Sequence, residues 1–457
     1  MLTKLKSYAT APVSAAPLAV FRVIFGGMML ASILRFILKG WVTELYVQPK
    51  IYFPYYGFEW VKPLGETGMY VLFGLMALSS LGIMLGLFYR WSAVLFFLSF
   101  TYVELIDKTN YLNHYYFVSI MALLMVLVPA HRHFSLDVLR RPHIWVSHVP
   151  RWAVLIFQLQ LGLVYFYAGV AKLNPDWLLE AMPLRYWLPA HTNLPLIGPL
   201  LDKVWVAYLF CWFGAFYDLT IPFFLSWRKS RLLAYFTVVV FHVLTAVLFQ
   251  IGMFPYIMMV STLIFFPAGF HEKILNWFRS LGKVSIPQQP AFAKVTTQPL
   301  LLNLLALHFI LQVLVPWRFM LYPDKLFWTE QGYRFSWRVM LMEKTGTAFF
   351  YVRDPRTGNE AEINNREYLT VAQEKQMATQ PDMILQFAHM LRDDYERKGI
   401  PSPQVRAEVY VSMNGRGSKL LIDSGVNLAA EKESFLAKTW ILPFNDDKLQ
   451  QEAVGQK

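Results

Sequence analysis

The sequence is poor in residues that many soluble enzymes depend on. A single cysteine, Cys211, occurs among 457 residues, so no intramolecular disulfide and no paired-cysteine metal site can form. Cys211 sits in an apolar run and reads as a small buried side chain. Charged residues make up only 16% of the chain, against about 25% in ordinary soluble domains. That scarcity excludes a disordered chain, a coiled coil and an ordinary cytosolic enzyme. No Gly-rich phosphate loop, HExxH motif, internal repeat or low-complexity tract is present. Acidic residues are the scarcer sign: 30 Asp+Glu stand against 42 Lys+Arg, a formal net charge of +12. A basic balance of this size raises nucleic acid first, but the basic residues form no stripe, and no nucleic-acid partner is expected.

What is abundant is apolar surface. The chain is 56% hydrophobic and 17% aromatic, with mean hydropathy +0.37. A bilayer span needs about 20 mostly apolar residues. Nine runs qualify: about 17–38, 68–88, 91–106, 114–130, 152–171, 204–226, 232–250, 253–268 and 298–316. The third and eighth are short. The first contains Arg22 and Arg35 and no small-residue cleavage site, so it reads as an uncleaved anchor.

The charge divides with the hydropathy. Residues 1–316 carry 23 Lys+Arg and 11 Asp+Glu, whereas residues 317–457 carry 19 of each. Fourteen of the positives lie on alternate loops: Lys4, Lys6, Arg90, Arg132, Arg140, Arg141, Arg151, Arg228, Lys229, Arg231, Lys273, Arg279, Lys283 and Lys294. Only Asp137 and Glu272 oppose them there. By the positive-inside rule the N-terminus is cytoplasmic, and nine spans then put the C-terminal region outside. The expected fold is a multipass α-helical membrane domain of about nine transmembrane helices (1–316), followed by an extramembrane α+β domain (317–457) with a β-rich, sandwich-like part. In the second domain, TAFFYVR (347–353) and 359–364 flank DPRTG as a hairpin. Residues 381–398 have helical periodicity and stop before Gly399 and Pro401. Residues 405–412 alternate as a strand, 418–422 is a further strand candidate, and the tail after Asp446 is polar.

Ionisable groups inside a membrane are costly, so each is a functional candidate. Lys172 ends span five in YFYAGVAKLNPDW. It is either a snorkelling lysine or an amine in a poorly hydrated aromatic pocket, where water exclusion favours the neutral base. DKTNYLNHYYF (107–117) places Asp107, Lys108, Asn113 and His114 at the mouth of two helices, as helix caps or as hydrogen-bonding groups for a polar ligand head. His242 lies within span seven, as a core histidine or a cavity group, and Gln250 shares its helix face. Asp218 in span six requires a partner, with Arg22, Arg35 or a histidine available. HRH (131–133) reads as a solvated positive face before it reads as a metal site.

Taken together, these segments resemble vitamin K-dependent γ-glutamyl carboxylases and their bacterial relatives. The resemblance spans nearly the whole chain: DKTNYLNHYYF, YFYAGVAKLNPDW, FHVLTAVLFQIGMFPYIMM, FWTEQGYRFSWRVM (327–340), YVRDPRTGNE (351–360) and TWILPF follow in order. It implies an enzyme that takes reduced vitamin K (phylloquinol or menaquinol) with O₂ and CO₂ as co-substrates and no metal. The quinol is deprotonated by a lysine and reacts with O₂ on the way to the epoxide. The strong base so formed removes the γ-hydrogen of a peptide glutamate, and the carbanion captures CO₂. The family's base lysine matches Lys172, its Asn-His pair matches Asn113 and His114, and its intramembrane histidine matches His242. Tyr167, in the same stretch as Lys172, joins the quinol-pocket residues. The aromatic segment associated with glutamate binding matches Trp328, Tyr333, Ser336 and Trp337. The implied partners are a Glu-containing peptide or protein, membrane lipid and the quinol, and the implied location is a bacterial inner membrane.

The chain departs from the pattern of animal members in three ways. Met342 stands about where they have a histidine, Gln373 and Glu374 stand near basic positions, and their inter-domain disulfide cannot form. These departures bear on glutamate and CO₂ handling more than on quinol activation. A quinol epoxidase or oxidase without carboxylation is therefore the alternative enzyme, and a transporter or lipid-binding membrane protein the non-enzymatic one.

Overall fold

The computed structural model describes residues 2–249, 251–282 and 298–445. Gln250, Lys283, Lys294 and the tail after Asp446 lie outside the described residues. Helices lie in each of the nine expected runs, with a tenth following the eighth run, and not all are straight crossings. They are α1 (Ala16–Leu38), α2 (Gly65–Leu85), α3 (Tyr89–Ile106), α4 (Asn113–Leu127), α5 (Trp152–Ala171), α6 (Val204–Ser226), α7 (Arg231–Leu248), α8 (Phe254–Ser261), α9 (Ala268–Gly282) and α10 (Pro299–Leu314). Among the described residues, six helices are long and apolar enough to cross a membrane, the last being α10 with its 3₁₀ extension, or seven if a bent pair counts as one.

Three expected spans account for the difference from nine. α3 dilutes its 18 residues with Arg90 and Glu104. α4 has 15 residues, about 22 Å at 1.5 Å per residue, short of a bilayer core of roughly 30 Å. The eighth run is not straight: Phe254–Phe265 and Ala268–Ser280 meet at 112° across Pro267, where proline removes a helix hydrogen bond.

Small residues and one arginine bring the first helices together. Gly26 of α1 lies so close to α2 that an added Cβ would be 2.4 Å from the Met84 nitrogen. One turn earlier, the buried Arg22 guanidinium donates to the Ile83 and Met84 carbonyls, each at 2.6 Å, and to the Phe134 carbonyl. Ile83 and Met84 stand in the last turn of α2, where a cation is favoured, and the Phe134 carbonyl ties the loop after α4 to the same guanidinium. Arg22 is thus a structural cap and not the partner of Asp218.

The C-terminal part holds α11 (Val371–Met377) and α12 (Pro381–Arg397) with β1 (Lys344–Arg353), β2 (Glu360–Ile363), β3 (Gln404–Met413) and β4 (Lys419–Leu420). The strands form one antiparallel sheet in the order β2-β1-β3-β4, with Phe350 opposite Ala407. Alternation buries Phe350, Val352, Val405, Ala407, Val409 and Val411 on one face. α12 covers that face with Met383, Ile384, Phe387 and Leu391, and Phe350 meets Phe387 edge-on at 4.8 Å. The expected sandwich is therefore a helix-covered sheet, because the apolar stripe of α12 takes the place of a second sheet. The hairpin, α12 and β3 fall where periodicity predicts; α11 was not expected.

The joint between the two parts runs through DKTN. The Asp107 carboxylate accepts from the Thr109 nitrogen at 2.9 Å and from Gln373 Nε2 at 3.0 Å. Gln373 also closes a capping box with Thr370 at the start of α11 and donates to the Ile51 carbonyl at 2.8 Å. Burial pushes the Asp107 carboxyl up despite these donors. Lys108 bonds Asp382 at 2.9 Å, and Arg334 bonds the same carboxylate at 2.6 Å. Burial alone would raise the Asp382 carboxyl, but Arg334 and Lys108 outweigh it and hold it far below the usual carboxylate range.

Two outcomes follow for stability in detergent. Gly26→Val should lower stability by about 1–3 kcal/mol or more through backbone overpacking, whereas Gly74→Ala, which meets nothing within 4 Å, should be neutral or stabilising; thermal unfolding midpoints distinguish them. Asp382 titrates lower folded than unfolded, so its stabilisation is present above about pH 4 and is lost as pH falls toward the depressed folded value. Asp382→Asn should flatten that acid-side slope and cost about 3 kcal/mol at pH 7, read from unfolding followed across pH.

Candidate functional site

The helix packing that buries Lys172 is visible in its neighbours. Gly169 on α5 lies against α6 so closely that an added Cβ would be 2.8 Å from the Leu219 nitrogen. That contact sets Lys172, the C-cap residue of α5, beside Asp218 of α6. Lys172 Nζ is 2.6 Å from Asp218 Oδ2, with side chains only 8% and 5% exposed. Nζ also donates to the Ala168 carbonyl at 3.3 Å and lies 5.5 Å from the centre of the Trp177 ring. Lys172 is therefore not a snorkelling lysine, and it is the partner that Asp218 requires.

The pair opens onto an apolar cavity of about 300 Å³ between α5, α6 and α7, within the size range of small-molecule sites. Tyr165, Trp177, His242 and Phe254 also line it. His242 Nε2 is 3.0 Å from the Tyr165 hydroxyl, while its buried Nδ1 has no hydrogen-bond partner among the described residues. Leu209, Phe213 and Val240 form the wall on the outer surface of α6 and α7 and are half exposed.

A second cavity of about 830 Å³ adjoins the first. Ile251, Phe254, Val339 and Met340 line both. The Phe254 ring lies between two histidines, 5.9 Å from His114 and 6.0 Å from His242 by ring centres. Asn113, His114 and Tyr333 line this larger cavity. The residues expected to share one quinol pocket thus stand in two chambers: Lys172 and His242 on one side of Phe254, Asn113 and His114 on the other. Asn113 Nδ2 donates to the Arg338 carbonyl at 2.7 Å, and its Oδ1 accepts from the Tyr111 hydroxyl at 3.0 Å. It thereby fastens the segment after α10 to the head of α4.

Four expected site residues line neither cavity. Tyr167 donates to the Val313 carbonyl at 2.7 Å and accepts from Trp317, tying α5 to α10. Trp328 is buried in the core of the C-terminal part and donates to the Leu442 carbonyl at 2.7 Å. Trp337 stacks on Tyr116 at 4.8 Å, and the Ser336 hydroxyl bonds back to the Tyr333 carbonyl. Their aromatic area and hydroxyl are consumed in packing, which leaves Tyr333 as the one of the four expected residues of that segment that faces the cavity.

The larger cavity is cationic. Arg35, Lys108, Arg334, Arg338 and Lys344 line it, with Glu330 the acid among them. Glu330 pairs with Lys344 at 3.0 Å, and burial pushes the Lys344 amine down against that pairing. Burial likewise brings the Arg338 guanidinium down to about 10. Met342 lies on this wall, while Gln373 is occupied at the joint. Arg338, Lys344 and Glu330 were missed as site residues; for Glu330 and Arg338 the signal was charge inside the aromatic run FWTEQGYRFSWRVM, and Lys344 follows four residues after it. Among the described residues, no cluster of His, Cys, Asp or Glu could hold a metal ion.

The arrangement joins a dry chamber holding a base candidate to a cationic chamber facing the C-terminal part. Two comparisons give it a family. Residues 10–270 match the HTTM domain, and residues 297–447 match the lumenal domain of vitamin K-dependent gamma-carboxylase. No solved structure gives a significant match. With the two matches consecutive over nearly all of the chain and several apolar helices of spanning length, the protein is a multipass membrane protein that belongs to the vitamin K-dependent gamma-carboxylase family.

Proposed function

We propose that this protein carboxylates peptide glutamate at the γ-carbon, driven by oxidation of a vitamin K quinol. Quinol, O₂, CO₂ and a glutamyl side chain give the quinone epoxide, water and a side chain bearing a second carboxyl. The observation that carries the proposal is the water-excluded Lys172–Asp218 pair in an apolar cavity that shares a wall with a cationic one. In this reading residues 1–316 form the membrane domain, the N-terminus is cytoplasmic, and 317–457 lies outside a bacterial inner membrane, where a soluble peptide reaches the larger cavity.

The apolar chamber suits a prenylated quinol. Its wall on α6 and α7 faces lipid, which gives such a ligand a dry route in. The unpartnered His242 Nδ1 and the Lys172 amine are the polar atoms there for a quinol oxygen. Bound reduced vitamin K supplies, with O₂, the strong base that removes the γ-proton, and ends as the epoxide. The protein's part is proton handling. Transfer of a proton from Lys172 Nζ to Asp218 Oδ2, 2.6 Å away, leaves Nζ neutral to accept the quinol hydroxyl proton. With the Tyr165 hydroxyl donating to Nε2, His242 carries its hydrogen on Nδ1. Exclusion of water protects a strong base from quenching. His114, which makes no hydrogen bond to a described residue, and Tyr333 serve the glutamate side, with Asn113 holding their frame. Trp328, Ser336, Trp337 and Tyr167 act as its supports.

Epoxidation without carboxylation is the second reading, favoured by Met342 on the larger cavity in place of an imidazole. Purified protein given reduced vitamin K, O₂, labelled bicarbonate and a Glu-containing peptide separates the two. Label in the peptide together with epoxide supports carboxylation. Epoxide alone selects the second reading, and neither product with quinol bound sinks both. Lys172→Ala should reduce epoxide formation by about 100-fold or more; full epoxidation by this variant at ordinary pH would remove Lys172 from the role of base.

A further inference from the structure

Of the five cations on the larger cavity, three have acids of their own. Lys344 holds Glu330 at 3.0 Å, and Lys108 and Arg334 share Asp382 at 2.9 and 2.6 Å. Arg35 has no acid but is exposed, lying over the Trp41 ring at 4.9 Å, so water solvates it. Arg338 has neither resource. It is 8% exposed, its guanidinium donates to no acceptor among the described residues, and its buried Nε is unpartnered. The guanidinium lies over ring faces instead, Phe319 at 4.6 Å and Phe327 at 6.0 Å.

A buried guanidinium without an acid is strongly unfavourable unless something else supplies the negative charge. Its backbone is fixed, since the Arg338 carbonyl accepts from Asn113 at 2.7 Å and from the Tyr333 hydroxyl at 3.3 Å. The fork is therefore held in place without being satisfied. Planar, pre-set donors fit a carboxylate by two parallel hydrogen bonds. A single uncompensated cation matches a single negative charge, which favours a carboxylate over a phosphate dianion.

We propose that Arg338 is the carboxylate-binding residue of the larger cavity and grips the side-chain carboxylate of the peptide glutamate. The identity of that carboxylate rests on the function proposed above; the existence of a carboxylate site does not. Tyr333 and His114 line the same cavity and would flank the held side chain, while Phe254 separates it from Lys172.

The test is binding of a labelled Glu-containing peptide, and of the same peptide with Gln, to the purified full chain, with glutarate and inorganic phosphate as competitors. Wild type should prefer the Glu peptide, with glutarate competing far better than phosphate. Arg338→Gln should weaken Glu-peptide binding about 10- to 100-fold while leaving Gln-peptide binding in place, so the preference collapses. Arg338→Lys should fall between, because an ammonium lacks the fork; it also carries the test if Arg338→Gln does not fold. An unchanged Glu preference in both variants, no preference in wild type, or equal competition by phosphate would overturn the inference. Preference lost in the variants while wild type carboxylates nothing would uphold the site and refute the function. Carboxylation by wild type with preference unchanged in the variants would do the reverse.

Discussion

Lys172 and Asp218 carry opposite formal charges in a place where neither is solvated. Alone, each would be among the costliest groups in the membrane helices. Together, at 2.6 Å, they form a unit whose overall charge is zero wherever the shared proton lies. Such a unit can sit in an apolar chamber and still exchange a proton with a ligand. Much of the surrounding structure serves this unit. Gly169 exists to bring α5 onto α6, Trp177 and Phe254 close the walls, and Tyr165 orients the imidazole across the chamber.

The second requirement is that the dry chamber and the C-terminal part keep register. That task falls to a few polar groups whose donors and acceptors are nearly all used. Asp107 reaches from the end of α3 to Gln373 of α11, Lys108 reaches to Asp382 of α12, and Asn113 reaches from α4 to the Arg338 carbonyl. A disulfide could hold two such parts in a single bond; with one cysteine, this chain uses a buried ionic and amide joint. The Gln373 side chain shows why a neutral residue is suited there. It supplies one N–H to Asp107, a second to Ile51 and an oxygen to the capping box, a combination that no lysine could make.

Much of this was legible in the sequence, but unevenly. Hydropathy marked each of the six helices that are long and apolar enough to cross a membrane, since about twenty apolar residues in a row admit few other folds. It overcounted straight spans because run length does not reveal the bend at Pro267 or the shortness of α4. Lys172, His114 and His242 stood out because an ionisable group is rare in such surroundings. The partner of Asp218 was not legible, because Lys172 lies 46 positions away and only helix packing selects it over the expected Arg22, Arg35 or a histidine. Trp328 and Trp337 were expected from the resemblance alone, and their burial was not legible because large aromatics mark cores as readily as ligand sites. Arg338 was hidden by its neighbours, since a basic residue in an aromatic segment reads as an interfacial anchor until its burial is known.

The separation by Phe254 then acquires a physical rationale. An apolar quinol and a charged peptide place opposed demands on solvation. A chamber lined with cations would hold water that quenches a strong base, and a chamber dry enough to protect that base would reject a carboxylate. One cavity cannot serve both. Two cavities with a common apolar wall can, because reacting groups from either side approach at that wall while the cations of one chamber stay behind it. Phe254, flanked by His242 on the dry side and His114 on the charged side, is where the two environments come closest. The chemistry of the proposed reaction requires proton transfer between ligands held apart in this way, and the fold supplies one thin boundary at which it can occur.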